Sequence, residues 1–160
     1  MKKQEKFISA TILKCSDPYK IKKNQTIIIP GPTAVGKTAV AVELCKKING
    51  SIISADSRQV YKYLDIGTNK EGTLKGNIRQ IKGINQYLTD IITPEQKYTA
   101  KSFEIDAQKS EDIILKENKI PVVVGGTGLY IKDFLYGLDD LPNANEKIRQ
   151  EIEDLISEKG

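Results

Sequence analysis

Residues 31–38 read GPTAVGKT, an order in which each residue type suits phosphate binding. Gly31 and Gly36 let the backbone curl with its N–H groups inward, and a helix starting there adds its positive dipole end. Lys37 can bring a full charge to terminal phosphates, and Thr38 a hydroxyl ligand for Mg²⁺. The spacing G-x-x-x-x-G-K-[ST] predicts a P-loop, although a glycine-rich turn before a helix would look similar. The residues of this predicted phosphate site are Gly31, Pro32, Thr33, Ala34, Val35, Gly36, Lys37 and Thr38.

Two further segments with possible chemistry follow apolar runs, at 56–59 (DSRQ) and 125–130 (GGTGLY). Beside bound phosphates, the Asp56 carboxylate could hold a Mg²⁺ water or take a proton from a nucleophile. It could equally be the N-cap of a turn that begins at Arg58. Spacing alone leaves both roles open.

The chain contains no histidine, which limits the chemistry that it can perform. Proton transfer near neutral pH must therefore fall to a carboxylate, a lysine, a tyrosine or water. The two cysteines, Cys15 and Cys45, lack a metal-binding spacing, and Cys45 is expected to be a small core residue in the first helix. We therefore expect a reducing compartment and no catalytic thiol.

The composition is that of one globular domain: 160 residues, 39% hydrophobic and 29% charged. No run approaches the about 20 apolar residues of a membrane span, and the N-terminus lacks the apolar core of a secretory signal. These features predict a cytoplasmic protein with no membrane partner. The net charge of +4 is compatible with a nucleic-acid partner but indicates it only weakly.

Apolar periodicity predicts alternating strands and helices along most of the chain. They are strands at 26–29, 51–54 and 122–124, helices at 37–49, 99–118, 129–136 and 145–159, one or two helical turns at 58–64, a loop at 65–83 and a short extended segment at 84–92. Gly50 is expected to stop the first helix. This alternation is typical of a parallel α/β sheet, in which ligands bind at the carboxyl ends of the strands. The three segments with possible chemistry are therefore predicted to meet at one edge.

Three regions are predicted. Residues 1–25 form a lysine-rich, partly mobile extension, residues 26–140 form the α/β core, and residues 141–160 begin a helical insertion. The last helix carries an apolar stripe at helical spacing. Its members are Ile148, Ile152, Leu155 and Ile156.

The order of three blocks, GPTAVGKT, SADSRQVYKYLDIGTNK and PVVVGGTGLYIKDFLYGL, resembles the tRNA dimethylallyltransferases, also called tRNA isopentenyltransferases. Those enzymes prenylate the N6 amine of an adenine beside the anticodon. The resemblance runs from about Thr26 to Gly160, and DSRQVY followed by GGTGLY is far more specific than a P-loop. It implies a P-loop NTPase-like parallel sheet flanked by helices, in a chain that would stop after about half of the family's length.

The resemblance also implies roles for single residues. The P-loop would grip the diphosphate of dimethylallyl diphosphate, with Mg²⁺, instead of the ATP usually assumed for this motif, and Thr33, Lys37 and Thr38 would hold that leaving group. Asp56 would be the base that receives the adenine amine proton, and Gln59 would help to hold the adenine. The positions matching tRNA contacts are Asp56, Ser57, Arg58, Gln59, Thr127 and Arg149. The implied partner is the anticodon stem-loop of tRNA, bound by a monomer.

Several of these residues also have ordinary structural explanations. Arg58 and Arg149 could be solvated charges, and Gln59 could cap a turn. The tyrosines of the motifs, Tyr61, Tyr63 and Tyr130, are predicted to pack with their hydroxyls at the surface. Loop lysines could add nonspecific phosphate attraction. These lysines are Lys70, Lys75 and Lys82.

The chain departs from the family pattern in the segment before Asp90. The family has Pro-His-His-Leu-Ile-Asp, and residues 85–90 read Asn-Gln-Tyr-Leu-Thr-Asp. Thr89 replaces an apolar residue, so local packing is predicted to suffer. The alternatives to the full enzyme are an inactive or degenerate fragment of it, or another P-loop transferase: a small-molecule kinase or an adenylate isopentenyltransferase. Against a kinase, no further apolar strand ends in a metal-binding aspartate.

Overall fold

A computed structural model describes residues 26–137 and 146–159 of the chain. Its strands are β1 (Ile27–Pro30), β2 (Gly50–Ser54), β3 (Thr73–Lys75), β4 (Ile78–Ile81), β5 (Ile84–Tyr87) and β6 (Ile120–Gly125), and its helices are α1 (Lys37–Ile48), α2 (Ala100–Lys116), α3 (Gly128–Tyr136) and α4 (Glu146–Lys159). The predicted extension at 1–25, with Cys15, and the predicted boundary near residue 140 lie outside the described residues.

The six strands form one sheet in the order β1-β6-β2-β5-β4-β3. The pairs β1·β6, β6·β2 and β2·β5 are parallel, whereas β5·β4 and β4·β3 are antiparallel. The predicted α/β fold with a parallel sheet is thus confirmed, with an antiparallel edge added to it.

Neighbouring residues of β2 point to opposite faces of the sheet and so contribute to different apolar clusters. Ile53 packs with Phe103 of α2 and with α3, and Ile52 packs with Val42 and Cys45 of α1. The helices therefore cover both faces. Cys45 is buried there, as predicted for a small core residue.

The helix α1 ends one residue earlier than predicted, and Gly50 is not its stop. Asn49 takes the left-handed turn (φ 54°) and its Nδ2 donates to the Asn118 carbonyl. Asparagine tolerates this conformation better than most residues. Gly50 instead begins β2, where a Cβ would lie 3.0 Å from the Ile120 carbonyl oxygen.

The prediction of a loop at 65–83 is wrong, because β3 and β4 lie within it. Lys82 (φ 49°) and Gly83 (φ 85°) form the tight turn that joins β4 to β5. Two consecutive residues with positive φ are typical of hairpin turns. The short strands, with lysines and glycines between them, lack a periodicity that would mark them in the sequence.

The prediction of helical turns at 58–64 is also wrong. This segment forms non-helical turns, and the Val60 carbonyl accepts hydrogen bonds from the backbone N–H groups of Ile91 and Ile92, at 2.8 and 3.2 Å. Tyr61 makes an isolated parallel bridge with Ile92. Tyr63 adopts a positive φ and is 78% exposed, so it does not pack as predicted.

The remaining predicted elements are confirmed with small shifts. The Thr99 hydroxyl accepts a hydrogen bond from the Ser102 N–H and caps α2. The predicted packing defect at Thr89 is not found, because its buried hydroxyl accepts a hydrogen bond from Gln86. The apolar stripe of α4 is at least 49% exposed at each of its members. Among the described helices, none has the length and apolar character needed to cross a membrane.

Candidate functional site

The carboxyl ends of β1, β6 and β2, which are neighbours in the sheet, bring three loops together. The Gly31 N–H donates to the Gly125 carbonyl (3.3 Å), and the Ala55 N–H donates to the Val124 carbonyl (2.8 Å). The Thr127 N–H completes the set by donating to the Ala55 carbonyl (3.3 Å). The predicted meeting of the three segments at one edge is therefore confirmed.

These loops border a cleft that has three walls. The P-loop forms the first wall, residues after β2 the second, and the segment 68–71 the third. The polar residues that line it are Thr33, Lys37, Thr38, Ser54, Asp56, Gln59, Thr68, Asn69, Glu71 and Gln86. The third wall was not predicted, since its residues belong to a polar stretch without a motif.

The P-loop has the backbone needed to surround an anion. Ala34 (φ 66°) and Gly36 (φ 88°) both adopt the left-handed conformation, which aims successive N–H groups into a concavity. No side chain caps α1 at Gly36, so the first N–H groups of the helix remain available. The Lys37 ammonium donates to the Pro32 carbonyl within the loop, and the half-buried Thr38 lies beside it.

Asp56 combines the two roles that spacing left open. Its Oδ1 accepts hydrogen bonds from the backbone N–H groups of Arg58 (2.8 Å) and Gln59 (3.2 Å), so it caps the following turn. Within the described part of the chain, its Oδ2 has no hydrogen-bond partner. One oxygen thus holds the carboxylate still, and the other is available in the cleft.

Gln59 is held by the protein on every side. Its Oε1 accepts from Ser54 Oγ (3.1 Å) and Gln86 Nε2 (3.2 Å), and its Nε2 donates to the carbonyls of Thr68 (3.0 Å) and Asn69 (3.3 Å). It is not a turn cap. A contact with adenine would have to replace one of these bonds, and that role stays a prediction.

The remaining predicted tRNA contacts fall into two groups. The Thr127 hydroxyl accepts a hydrogen bond from the Ser57 N–H (3.2 Å), which places Thr127, Ser57 and the exposed Arg58 on one rim of the cleft. Arg149 is exposed on α4, and no contact among the described residues brings it to this cleft.

A buried ion-pair network lies behind the third wall. Lys70 Nζ contacts Asp90 Oδ1 at 2.6 Å, and Arg79 approaches Asp90 Oδ2 at 2.7 Å. The side chain of Lys70 is fully buried, and its ammonium also donates to the Tyr61 carbonyl. Lys70 therefore cannot add the nonspecific phosphate attraction proposed for the loop lysines. No sequence signal distinguished it from the exposed lysines around it.

An aromatic group supports the GGTGLY segment from below. Tyr130 stacks on Phe103, with ring centroids 4.5 Å apart, and Tyr98 meets it edge-on at 6.3 Å. Burial, with the nearby charges of Tyr61 and Asp56, raises the pKa of Tyr130. Tyr130 is thus a packing residue whose hydroxyl is neutral at physiological pH, although it is buried where surface exposure was predicted.

Comparison with known proteins agrees with this geometry. The family model described as IPP transferase matches residues 59–160. A tRNA dimethylallyltransferase of Endomicrobium trichonymphae is 58% identical over 127 residues, which are 79% of this chain and 42% of that protein. A relative from Elusimicrobium minutum, with the same name, is 42% identical and is covered to 44%. The chain thus spans less than half the length of these relatives.

Solved structures give the same result. The tRNA isopentenylpyrophosphate transferase of Bacillus halodurans aligns with a TM-score of 0.67 at 35% identity, over 86% of this chain and 44% of that one. A eukaryotic dimethylallyltransferase acting on tRNA aligns with a TM-score of 0.67 at 30% identity, over 80% and 32%. The family model covers more than half of the chain, and the chain therefore belongs to the IPP transferase family.

Proposed function

We propose that this cleft transfers a dimethylallyl group from dimethylallyl diphosphate to N6 of an adenine next to the anticodon in tRNA. The observation that carries the proposal is the position of Asp56. Its unpartnered oxygen shares one cleft with Lys37 and Thr38, so a proton acceptor faces a phosphate-binding loop. The names of the relatives support the same reaction.

The groups of the cleft account for every bond and proton that changes in this reaction. The bond between the allylic carbon and the diphosphate oxygen breaks, a bond from adenine N6 to that carbon forms, and one N6 proton passes to Asp56. Lys37 and the loop amides stabilise the charge that develops on the departing diphosphate. The carboxylate orients the weakly nucleophilic amine and takes its proton as the new bond forms. No histidine is needed.

The ligand atoms at the loop suit Mg²⁺. The Thr38 hydroxyl would contribute one ligand, and the described residues contain no group of three or more acidic, histidine or cysteine side chains that could hold a metal alone. Mg²⁺ commonly keeps several waters and binds largely through substrate phosphates, so few protein ligands are needed. When bound, it would neutralise charge on the diphosphate.

The proposed RNA partner is the anticodon stem-loop, with the target base turned out of its stack to reach the cleft. Ser57, Arg58 and Thr127 form the rim nearest to that base, and Arg149 contacts the RNA from α4. We propose that the protein acts as a monomer in the cytoplasm.

The test is transfer of a labelled dimethylallyl group to an anticodon stem-loop by this chain, and by the same chain extended to the length of its relatives. Asp56→Asn keeps the turn cap and removes the base, so we expect transfer to fall by about 10²–10⁴-fold. Diphosphate binding should stay within about twofold, because the P-loop is unchanged. Asp112→Asn, an exposed carboxylate on α2, is the matched control and should behave as the wild type.

Equal loss of transfer and of diphosphate binding in Asp56→Asn would refute the role as base. Transfer by the extended chain alone would indicate that these residues need further sequence for activity. ATP turnover on a small acceptor, without prenylation of RNA, would favour the kinase alternative.

A further inference from the structure

A polar frame of four side chains lies in the cleft wall between β2 and β5, and it comprises Ser54, Gln59, Gln86 and Thr89. Ser54 Oγ and Gln86 Nε2 both donate to Gln59 Oε1, at 3.1 and 3.2 Å. Gln86 Nε2 also donates to Thr89 Oγ1 at 2.8 Å. Gln86 is only 5% exposed although it lines the cleft. Both Gln86 and Thr89 lie in the segment that departs from the family pattern.

The backbone determines which way both amides point. Gln59 Nε2 faces the carbonyls of Thr68 and Asn69, which can only accept hydrogen bonds. The amide oxygen of Gln59 must therefore face Ser54 and Gln86. Gln86 must then present its NH₂ group to that oxygen, because turning its amide over would place two acceptors together.

This orientation leaves the oxygen of Gln86 without a donor. Among the side chains of residues 26–137 and 146–159, three buried polar atoms lack a hydrogen-bond partner: Gln86 Oε1, Tyr87 Oη and Asp133 Oδ2. Of these three residues, only Gln86 lines the cleft. A buried acceptor without a donor costs free energy, which a ligand carrying a donor can recover.

We propose that Gln86 is a base-recognising residue, whose Oε1 accepts a hydrogen bond from the exocyclic amine of the target adenine. This inference rests on the proposed function. The N6 amine carries two hydrogens. Prenyl transfer moves one of them to Asp56 as a proton, and the other forms the hydrogen bond to Gln86 Oε1. Gln59 joins the two groups, since its N–H donates to Asp56 and its side-chain oxygen accepts from Gln86.

The same acceptor discriminates between purines. Guanine presents a carbonyl oxygen where adenine presents its amine, so two acceptors would meet at Gln86. Contact with the base requires a rotation about the terminal torsion of Gln86, which is broad for glutamine, and this rotation weakens the bonds from Nε2 to Gln59 and Thr89. The frame thus favours a base with an amine at this position.

The experiment compares equilibrium binding of two anticodon stem-loops, one with adenine at the target position and one with unsubstituted purine, which lacks the amine. For the wild type we expect adenine to bind about tenfold more tightly, from the bonds to Asp56 and Gln86 together. Gln86→Met keeps the side-chain length without the amide, and the ratio should fall to about threefold. A general loosening of the cleft would weaken the binding of both RNAs equally, so it does not change the ratio.

Two further variants separate recognition from packing. Gln86→His should keep most of the ratio, even where Gln86→Met is too unstable to measure, because a neutral imidazole has one donor and one acceptor. Gln80→Leu is the matched control: Gln80 lies on β4, bonds to Asn85 and does not line the cleft. It should keep the wild-type ratio.

An unchanged ratio in Gln86→Met, or a ratio lost in Gln86→His, overturns the inference and assigns Gln86 Oε1 to a buried water instead. If neither this chain nor the chain extended to the length of its relatives binds either RNA or transfers a prenyl group, the proposed function itself is refuted. A wild type that transfers the group and prefers adenine, with the same ratio in Gln86→Met, refutes only the role of Gln86.

Discussion

At the scale of single residues, the same side chain serves structure and chemistry through different atoms. Asp56 uses Oδ1 to cap a turn, which fixes the direction of Oδ2 in the cleft. Gln59 uses its amide entirely for protein contacts, and those contacts hold the wall at Thr68 and Asn69. Residue type and spacing identified both positions, but only the contacts show which atoms remain for a substrate.

A substitution at Gly125 can test how closely the loops of the cleft approach one another. A Cβ at this position would lie 2.1 Å from the Ala55 carbonyl oxygen, so Gly125→Ala must move one of two tied loops. We expect this variant to lower the free energy of unfolding by about 2–3 kcal/mol, as measured by denaturant unfolding. The control is Gly128→Ala, where nothing lies within 4 Å of the added atom. It should change stability by under about 1 kcal/mol, and equal losses in the two variants would contradict the close approach.

At the scale of elements, the antiparallel edge of the sheet supports the third wall of the cleft. Arg79 of β4 and Lys70 of the preceding loop both bind Asp90, and Arg79 also donates to the Gly72 carbonyl (3.1 Å). The Asp90 N–H in turn donates to the Gln59 carbonyl (3.0 Å). The network thus connects the edge hairpin and the loop before it to the third wall of the cleft.

Asp90→Asn should loosen this edge. The substitution keeps the shape but leaves the buried Lys70 ammonium with only the exposed Asp65 as a counter-charge. We expect a loss of about 3 kcal/mol in the free energy of unfolding, because an unpaired buried charge is costly. Hydrogen exchange should show that the amides of residues 61–81 are the first to exchange faster.

The control for this prediction is an exposed pair on α1, formed by Lys46 and Glu43 at 2.8 Å. Glu43→Gln should leave the free energy of unfolding almost unchanged, because solvent screens such a pair. If Asp90→Asn were as mild as Glu43→Gln, the buried network would not hold the wall.

At the scale of the whole molecule, apolar clusters on both faces of one sheet hold the cleft at its carboxyl edge. Cys45 lies in the cluster under α1, and burial raises the pKa of its thiol to about 11, from an ordinary value near 9. The folded protein therefore keeps this proton at a pH where the unfolded chain has lost it. Its titration consequently reports on global unfolding.

The sign of the pH dependence follows from that difference. Since the folded state binds the extra proton, stability from this group is complete below about pH 9 and is lost as the pH rises towards 11. The loss amounts to at most about 3 kcal/mol. Unfolding free energies of the wild type and Cys45→Ala, measured from pH 8 to 11, should converge as the pH rises. Parallel curves would show that the thiol is accessible in the folded protein.

Prediction from sequence succeeded where a pattern depends on neighbouring residues. The run Val122–Val124, the P-loop at 31–38 and the periodic helix at 99–118 were recognisable, since buried parallel strands and amphipathic helices have local signatures. It failed at 58–64 and 65–83. Those segments are held by partners distant in the chain, such as Ile91 for Val60 and Asp90 for Lys70.

The amino-acid sequence by itself determined the fold class, the phosphate loop and the meeting of three motifs at one sheet edge, because each depends on local pattern and on the geometry of parallel strands. The tertiary structure alone decided which polar atoms are used. The side-chain amide of Gln59 makes all its hydrogen bonds to the protein, and the Lys70 side chain is buried in an ion pair. Gln86 Oε1 and Asp56 Oδ2 lack protein partners among the described residues, and both are therefore proposed to contact the substrate. Such assignments depend on distances between segments far apart in the chain, and spacing along the sequence does not contain them.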